Sequence, residues 1–346
     1  MPRDLTRLSI KELAKYGHFE ELCQRSTDGA EVDLAEIFER AVTDFRTVKR
    51  TSGHQKTLRW CIDQGLNFDS RAGWLNESVV CLAAAFGNND IIASMAMKGI
   101  PENPFVRASV GDVEFLARYG ARHELQNLKD ENGFNLLFYC AQSGLGQRDL
   151  NTRVRVVEVC RMLLDRGVSP SCEVEYALPI FPAFLCASCG GNEDVMRLLL
   201  EHGGLTAERF HQVLEHTLEP HQRSGEPIYH IAELILEYGF DINQLRPDQG
   251  RTLLHGAANR GSRNAVRWLL QHGASPNSLD SGGRTPLHAC AERNTGTTVI
   301  KLLIDAGAEL NAVDSIGNTP LDDARKNKRV KVAAYLESVG GRSCRS

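Results

Sequence analysis

The chain has 346 residues, and its 40 Lys+Arg against 44 Asp+Glu give a formal net charge of -4 at pH 7. This balance argues against a dedicated nucleic-acid-binding protein, and a hydrophobic content of 42% argues against global disorder. No apolar run approaches the roughly 18 residues of a membrane span, and residues 1–16 carry charges where a secretory signal needs an apolar stretch. We therefore expect a cytoplasmic protein with no membrane segment and with reduced cysteines.

In chain order, one pattern recurs: a run of apolar residues at helical spacing, then a glycine, then a loop. Glycine at such a place takes the left-handed conformation that ends a helix, so each run predicts a helix. The spacing is 33–36 residues, apart from consecutive steps of 21 and 47 that together equal two steps of 34. The glycines predicted to end these helices are Gly65, Gly99, Gly120, Gly167, Gly203, Gly239, Gly273, Gly307 and Gly340.

The other half of the repeat is clearest near the C-terminus. There the chain reads RTLLHGAANRG at 251–261, RTPLHACAERN at 284–294 and NTPLDDARKNK at 318–328. Thr285 and Thr319 are predicted helix N-caps, because each is followed by a proline that suits the first helical position. Each repeat is thus predicted to be helix, turn, helix and loop. One such unit cannot bury both its helices, so the units must stack.

These motifs resemble the ankyrin repeat family, with residues 280–314 nearly repeating the family's signature. The match is strong over 248–346, moderate over 131–247 and weak over 1–130, where the repeats diverge. The resemblance implies an all-α, ankyrin-type solenoid of about ten units, with a concave face lined by loop tips and first helices. We expect these three stretches to form one continuous array.

Two stretches, 145–153 and 219–227, interrupt the period and are predicted to lie between the two helices of their units. Insertions in solenoids map to loops on one face, which is often the binding face. The alternative is that both are neutral surface insertions.

The resemblance also implies candidate partner-binding positions at the loop tips and at the ends of the first helices. In the aligned repeats, Arg251 and Arg284 form one row, while Arg260 and Arg293 form another. A solvated charged surface is the alternative for each residue. The candidates are Asp248, Gln249, Arg251, Asn259, Arg260, Ser281, Arg284, Glu292, Arg293, Asn318 and Lys326.

A basic cluster follows the last first-helix motif. Lys328, Arg329 and Lys331 fit a short nuclear-import pattern, which would make the protein nuclear as well as cytoplasmic. The same run also suits the water-facing side of a terminal capping unit.

The chain lacks the usual catalytic signatures, and we expect no catalytic residues, no metal and no cofactor. Cys186 and Cys189 form a C-x-x-C, but no second pair accompanies them, so helix packing is the favoured interpretation. His211, His216 and His221 are spaced by five and do not share a helix face. Family resemblance gives His255 and His288 a structural role, bonding backbone between adjacent loops.

Three functions follow from these observations. The first is a non-enzymatic adaptor or scaffold that binds an unidentified protein on its concave face, with no direct contact to nucleic acid or membrane and as a monomer. The second is a nuclear regulator that acts through a transcription factor. The third is an enzyme or enzyme subunit with a pocket in the divergent repeats, lined by Trp60, Cys61, Trp74 and Cys81.

Overall fold

A computed structural model describes most of the chain and divides it into two compact units. The first unit comprises residues 1–205 and 221–225, and the second comprises residues 206–220 and 226–346. The structure describes residues 8–27, 32–43, 51–72, 77–145, 150–171, 182–190, 192–203, 207–219, 228–246, 250–294 and 296–344.

The described residues form twenty α-helices, so the predicted all-α fold is confirmed. Two short antiparallel strands of two residues each, β1 (Arg71–Ala72) and β2 (Glu77–Ser78), are a small departure from the all-α fold. The helices are α1 Ile10–Tyr16, α2 Phe19–Thr27, α3 Leu34–Thr43, α4 Ser52–Asp63, α5 Val79–Ala85, α6 Asn89–Lys98, α7 Pro104–Ser109, α8 Val113–Gly120, α9 Leu136–Gln142, α10 Leu150–Asp165, α11 Pro182–Gly190, α12 Glu193–Glu201, α13 Ala207–Leu218, α14 Tyr229–Glu237, α15 Leu253–Arg260, α16 Arg263–Gln271, α17 Pro286–Arg293, α18 Thr298–Asp305, α19 Pro320–Lys326 and α20 Val330–Ser338.

The ends of the helices follow from local sequence. Thr285 and Thr319 are N-caps with proline at the first helical position, as predicted. Eight of the nine glycines predicted to end helices have positive φ, the region that L side chains avoid. The prediction is wrong at Gly120, which is the last residue of α8 and has no positive φ, because Ala121 continues in the right-handed region.

The first unit contains six helix pairs, from α1 and α2 to α11 and α12. Within each pair the two helices contact each other, and the first helix of each pair contacts the first helix of the next. Apolar residues such as Leu82, Leu137 and Phe184 fill the space between them. The stacking that the isolated repeat requires is therefore present throughout this unit.

The second unit contains four helix pairs, from α13 and α14 to α19 and α20, in the same arrangement. Its first helices α13, α15, α17 and α19 contact one another in order, and α16 contacts α18. Leu254, Leu269 and Leu287 are fully buried, and burial of each such side chain contributes about 1.5–3 kcal/mol. Together the two units hold ten helix pairs, the predicted number of repeats.

The insertion predicted at 145–153 differs from expectation where the structure describes it, whereas only Glu219 of the insertion at 219–227 is described. Residues 150–153 are the first turn of α10 rather than a loop, so this insertion lengthens the second helix of its repeat. Arg153 in that turn pairs with Asp194 of α12 at 2.6 Å. Residues 146–149 and 220–227 lie outside the described residues.

The boundaries predicted at 130 and 247 separate stretches that match the repeat pattern to different degrees, and these boundaries stay a prediction. No helix within the described ranges is long and apolar enough to cross a membrane.

Candidate functional site

Asparagines in three consecutive loops of the second unit bind each loop to the next. The Nδ2 of Asn277 donates to the Gly307 carbonyl at 2.9 Å, and its Oδ1 accepts from the Glu309 N–H at 2.8 Å. Asn243 and Asn311 make the equivalent pair of bonds to the segments that follow them. Because the loops are held side by side, they present an ordered surface.

Histidines form a second set of links between repeats, as the sequence predicted. The Nε2 of His255 donates to the Arg284 carbonyl at 2.9 Å, and that of His288 donates to the Asn318 carbonyl at 3.1 Å. Their Nδ1 atoms accept from the N–H groups of Thr252 and Thr285, which fixes the neutral tautomer. Burial lowers the pKa of both imidazoles, so they stay neutral in the folded protein.

In the last repeat, Asp322 takes the place of the histidine. Its carboxylate accepts from Thr319, as the histidines do, and also from the Ser343 hydroxyl and the Cys344 N–H. Burial raises the pKa of Asp322, but these hydrogen bonds outweigh it and lower the pKa to about 2. The Asp322 carboxylate accepts hydrogen bonds where the histidine Nε2 donates one, because residues 343 and 344 offer donors to it rather than a carbonyl.

The two arginines of the first predicted row are engaged within the protein. The Arg251 Nε lies 3.3 Å from Oδ2 of the buried Asp280. The Arg284 Nη2 lies 2.8 Å from both Glu292 and Asp323, and only 19% of the Arg284 side chain is exposed. The middle of the predicted face therefore carries arginines whose charge is already compensated.

The two arginines of the second predicted row, Arg260 and Arg293, differ because only Arg260 has described ion pairs. Arg260 pairs with Glu215 at 3.3 Å and with Glu219 at 3.1 Å. Arg293 and Lys326 are exposed and make no ion pair within the described ranges. A partner has ready access to these two cations.

The other predicted positions fall into three groups. Ser281 is exposed at a loop tip, and its one hydrogen bond among the described residues is from its backbone N–H to the Gly250 carbonyl at 3.1 Å. Asn318 is buried, and Asn259 is half-buried, its side-chain oxygen buried without a described hydrogen-bond partner. Asp248 and Gln249 lie outside the described residues.

The predicted import cluster lies at the turn between α19 and α20. Lys328 and Lys331 are exposed, and Lys328 is the one described residue other than glycine with positive φ, at 57°. Arg329 is half-buried, and its Nε donates to the Glu292 carbonyl at 3.0 Å. The turn therefore contacts the end of the preceding first helix.

Three exposed aliphatic side chains on the same loops, Leu245, Leu279 and Val313, were not predicted as site residues. They are 45%, 56% and 51% exposed, and Ile316 at the last loop tip is 68% exposed. Leu279 and Val313 each precede the aspartate that shapes the loop by accepting backbone N–H bonds. The sequence contained a signal for Leu245, Leu279 and Val313, because an aliphatic residue recurs at this place in the repeat every 34 positions.

The cysteines correct one expectation. Cys140 of α9 and Cys160 of α10 are paired as a disulfide, so the expected reduced state does not hold for them. Cys186 is half-buried on α11, and the side chain of Cys189 lies outside the described part.

Among the residues that the structure describes, no group of three His, Cys, Asp or Glu side chains is placed to hold a metal. His211 is fully buried and the His216 pKa is lowered by burial, while His221 is not described.

The first unit has a groove of about 1090 Å³ whose lining includes Asp90, Arg107 and Glu158. Of the residues suggested for an enzymatic pocket, Trp60, Cys61 and Cys81 do not line it. Cys61 and Cys81 are buried in the helical core, and burial raises the pKa of the Cys61 thiol to about 12, which makes it a poor nucleophile at neutral pH. The expected pocket is not formed by these two residues, and Trp74 is not described.

Comparison with known proteins agrees with the repeat pattern. The family model for ankyrin repeats (3 copies) matches residues 223–314 and 275–341. A putative ankyrin repeat protein of fowlpox virus, FPV031, is 33% identical over 127 residues, which are 36% of this chain and 37% of that protein. The putative E3 ubiquitin-protein ligase XBAT35 of Arabidopsis thaliana is 36% identical over 73 residues, which are 21% of this chain and 16% of the ligase.

The chain thus matches much less than half the length of these curated relatives. The crystal structure of the human ASB11 ankyrin repeat domain is 21% identical, with a TM-score of 0.46, and covers 75% of this chain and 98% of that one. Ankyrin repeats are generally protein–protein interaction modules. The family match and the loop-bridging residues show that residues 223–341 consist of ankyrin repeats, and the helix pairs of the rest of the described chain have the same helix-turn-helix form.

Proposed function

We propose that this protein is a non-enzymatic adaptor or scaffold whose second unit binds a partner protein. The proposed surface consists of the described loop residues 241–246, 250–252, 275–285 and 309–319 and the first helices α15, α17 and α19. We name it the loop face. It is the face predicted from the sequence to be concave.

The supporting observation is the order of these loops in the free protein. Each loop is bonded to the next by asparagine side chains and by backbone bonds, such as Ser315 N–H to the Gly282 carbonyl at 3.0 Å. A surface that is already ordered binds without the conformational entropy cost of arranging its loops. Scattered mobile loops would not offer that advantage.

A capture experiment with matched variants tests the proposal. The Ser281→Glu/Ser315→Glu variant adds two anions at exposed loop tips whose side chains make no described hydrogen bond. The control, Asn264→Glu/Thr298→Glu, adds the same charge at exposed positions of the second helices α16 and α18. Each full chain is used to purify partners from native cells at physiological salt, and mass spectrometry identifies them.

We expect a partner that binds the wild type and the control but is lost from the loop-tip variant. A partner that is retained equally by both variants would remove the loop face from the proposal. Circular dichroism of all three proteins checks that they are folded.

Nuclear regulation through a transcription factor remains the alternative, supported by the exposure of Lys328 and Lys331. A nuclear fluorescence signal that is lost in Lys328→Ala/Arg329→Ala would support import. A uniform cytoplasmic signal from the wild type would end this alternative.

A further inference from the structure

The two ends of the first helices in the second unit differ in chemistry. At the loop end, Leu245, Leu279 and Val313 expose about half of their side chains on consecutive loops. Each lies two residues after a bridging asparagine, so the loop-to-loop bonds place the three aliphatic groups in one row. This row is called the aliphatic edge.

The middle of the face is electrostatically satisfied. Arg284 is shared between Glu292 and Asp323, each at 2.8 Å, and Arg251 contacts Asp280. A partner that recruited these arginines would have to break existing pairs and leave buried carboxylates uncompensated, which is costly. A partner therefore finds no unpaired arginine among Arg251 and Arg284 in the middle of the face, and would contact it through shape complementarity.

The far ends of the first helices carry uncompensated cations. Arg293 at the end of α17, Lys326 at the end of α19, and Lys328 and Lys331 in and just after the next turn are exposed and make no ion pair within the described ranges. Nearby Glu337 is already paired with Arg325 at 2.7 Å. These four residues are called the cationic edge.

The two edges are close enough for one ligand to contact both. Helix α17 has eight residues, so its two ends are about 12 Å apart at 1.5 Å per residue. Neighbouring repeats are about 10 Å apart, the usual distance between packed helices. A segment of 16 residues spans about 50 Å when extended, which exceeds both dimensions of the face.

We propose, building on the proposed function, that the partner presents a linear acidic segment that also carries aliphatic side chains. Its aliphatic groups pack on the aliphatic edge, and its carboxylates pair with the cationic edge. Charge complementarity favours carboxylates at the far ends of the first helices, because the exposed charges described there without an ion pair are positive. The exposed acids Asp241 and Glu309 lie in the loops, where the segment places its aliphatic groups instead. The aliphatic edge favours a protein over a nucleic acid, whose backbone has no apolar group to bury there.

The test is a selection followed by affinity measurement. A display library of random 16-residue peptides is selected on the purified full chain at 150 mM salt. The most enriched peptide is then labelled with fluorescein, and its Kd is measured by fluorescence anisotropy. We expect enriched peptides that combine Asp or Glu with Leu, Ile or Val.

Matched variants locate the contacts. Arg293→Glu/Lys326→Glu reverses two charges of the cationic edge, and the control Arg263→Glu/Arg267→Glu reverses two exposed charges on α16. We expect the first variant to weaken binding by at least about tenfold and the control by less than about twofold. Higher salt should weaken the binding of the wild type, because these charges are exposed and screened.

A second variant probes the other edge without changing charge. Leu279→Ser/Val313→Ser should also weaken binding by about tenfold, since it removes exposed apolar groups that the segment would bury. Both positions are half-exposed, so the array should keep its fold, which circular dichroism checks.

Each remaining outcome has one meaning. Enriched peptides without acidic residues, or equal affinity for the cationic-edge variant and the control, would overturn the inference and leave the proposed function intact. Tighter binding of a 16-nucleotide single-stranded DNA than of any peptide would assign the face to nucleic acid instead. No enriched peptide would also overturn the inference, because it requires a linear segment, and the capture experiment would then decide the proposed function separately.

Discussion

Substitution of His288 by aspartate separates the two tasks of this side chain. The ring caps α17 through Thr285 and reaches the Asn318 carbonyl of the next loop, 3.1 Å from Nε2. Aspartate keeps the capping bond, as Asp322 does with Thr319 in the last repeat. It cannot donate to a carbonyl when ionised, so only the link to the next loop is lost.

The cost follows from the groups left behind. The Asn318 carbonyl loses one of its two donors, since it also accepts from the Asp314 N–H at 2.9 Å, and a single hydrogen bond of this kind contributes about 0.5–1.5 kcal/mol. The new carboxylate occupies a fully buried position and faces an oxygen atom, so the total is about 3 kcal/mol or more at pH 7.5. His288→Ala should lose a similar amount, because the Thr285 N–H is then unpaired as well.

The assay has to be local, because repeat arrays do not unfold in a single two-state step. Amide hydrogen exchange by mass spectrometry reports the opening free energy of the peptides that contain α17 and α19. The control is Ser315→Asp, which adds the same charge to an exposed position of the same loop and should change protection by less than about 0.5 kcal/mol. Equal protection of these peptides in His288→Asp and wild type would refute the role of the histidine link.

The same reasoning gives a pH dependence. Burial lowers the pKa of His288 in the folded protein, so the unfolded chain takes up a proton first as the pH falls. The stability that depends on the neutral ring is complete above the unfolded pKa of about 6.5 and is lost as the pH falls below it. Carboxylates facing a carbonyl have a raised pKa, so the deficit of His288→Asp relative to wild type should narrow in acid.

Three further predictions concern other parts of the second unit. Asn277→Ala removes both bonds to the next loop and should cost about 1–3 kcal/mol, measured by hydrogen exchange at residues 305–312. Gly261→Ala should cost about 1–2 kcal/mol or more in thermal unfolding, because φ is +74° and the new Cβ would lie 2.1 Å from Asn294 Oδ1; a stability equal to wild type would contradict this. Iodoacetamide at pH 8 should modify the exposed Cys344 well before Cys290, whose thiol pKa burial raises to about 12; equal rates in the folded protein would contradict the buried position.

Regular features of the chain were predictable because each has a local cause. Prolines after Thr285 and Thr319 and most of the helix-ending glycines define their helices without help from distant residues. The prediction failed at Gly120 because Ala121 stays in the right-handed region, so no left-handed residue ends α8 there. Arg166 and Leu125 occupy the place where a Cβ on Gly120 would lie, so this glycine makes room for packing. Local sequence does not contain that information.

The candidate site was only partly predictable. Alignment places Arg251 and Arg284 at the loops, yet whether they are free depends on Asp280 and Asp323, which stacking brings to them. Charge compensation is a tertiary property and is invisible in one repeat. The aliphatic edge, in contrast, could have been predicted from the sequence, because its three residues recur at a spacing of 34 residues.

Site-specific photo-crosslinking tests the central claim, that the loop face of the second unit binds a partner, most directly. A benzophenone amino acid replaces Ser281 at an exposed loop tip in one protein and Asn264 on the exposed surface of α16 in another. The account predicts a crosslinked partner from position 281 and none of that mass from position 264 after irradiation in cells. The same adduct from position 264, with none from position 281, would contradict it.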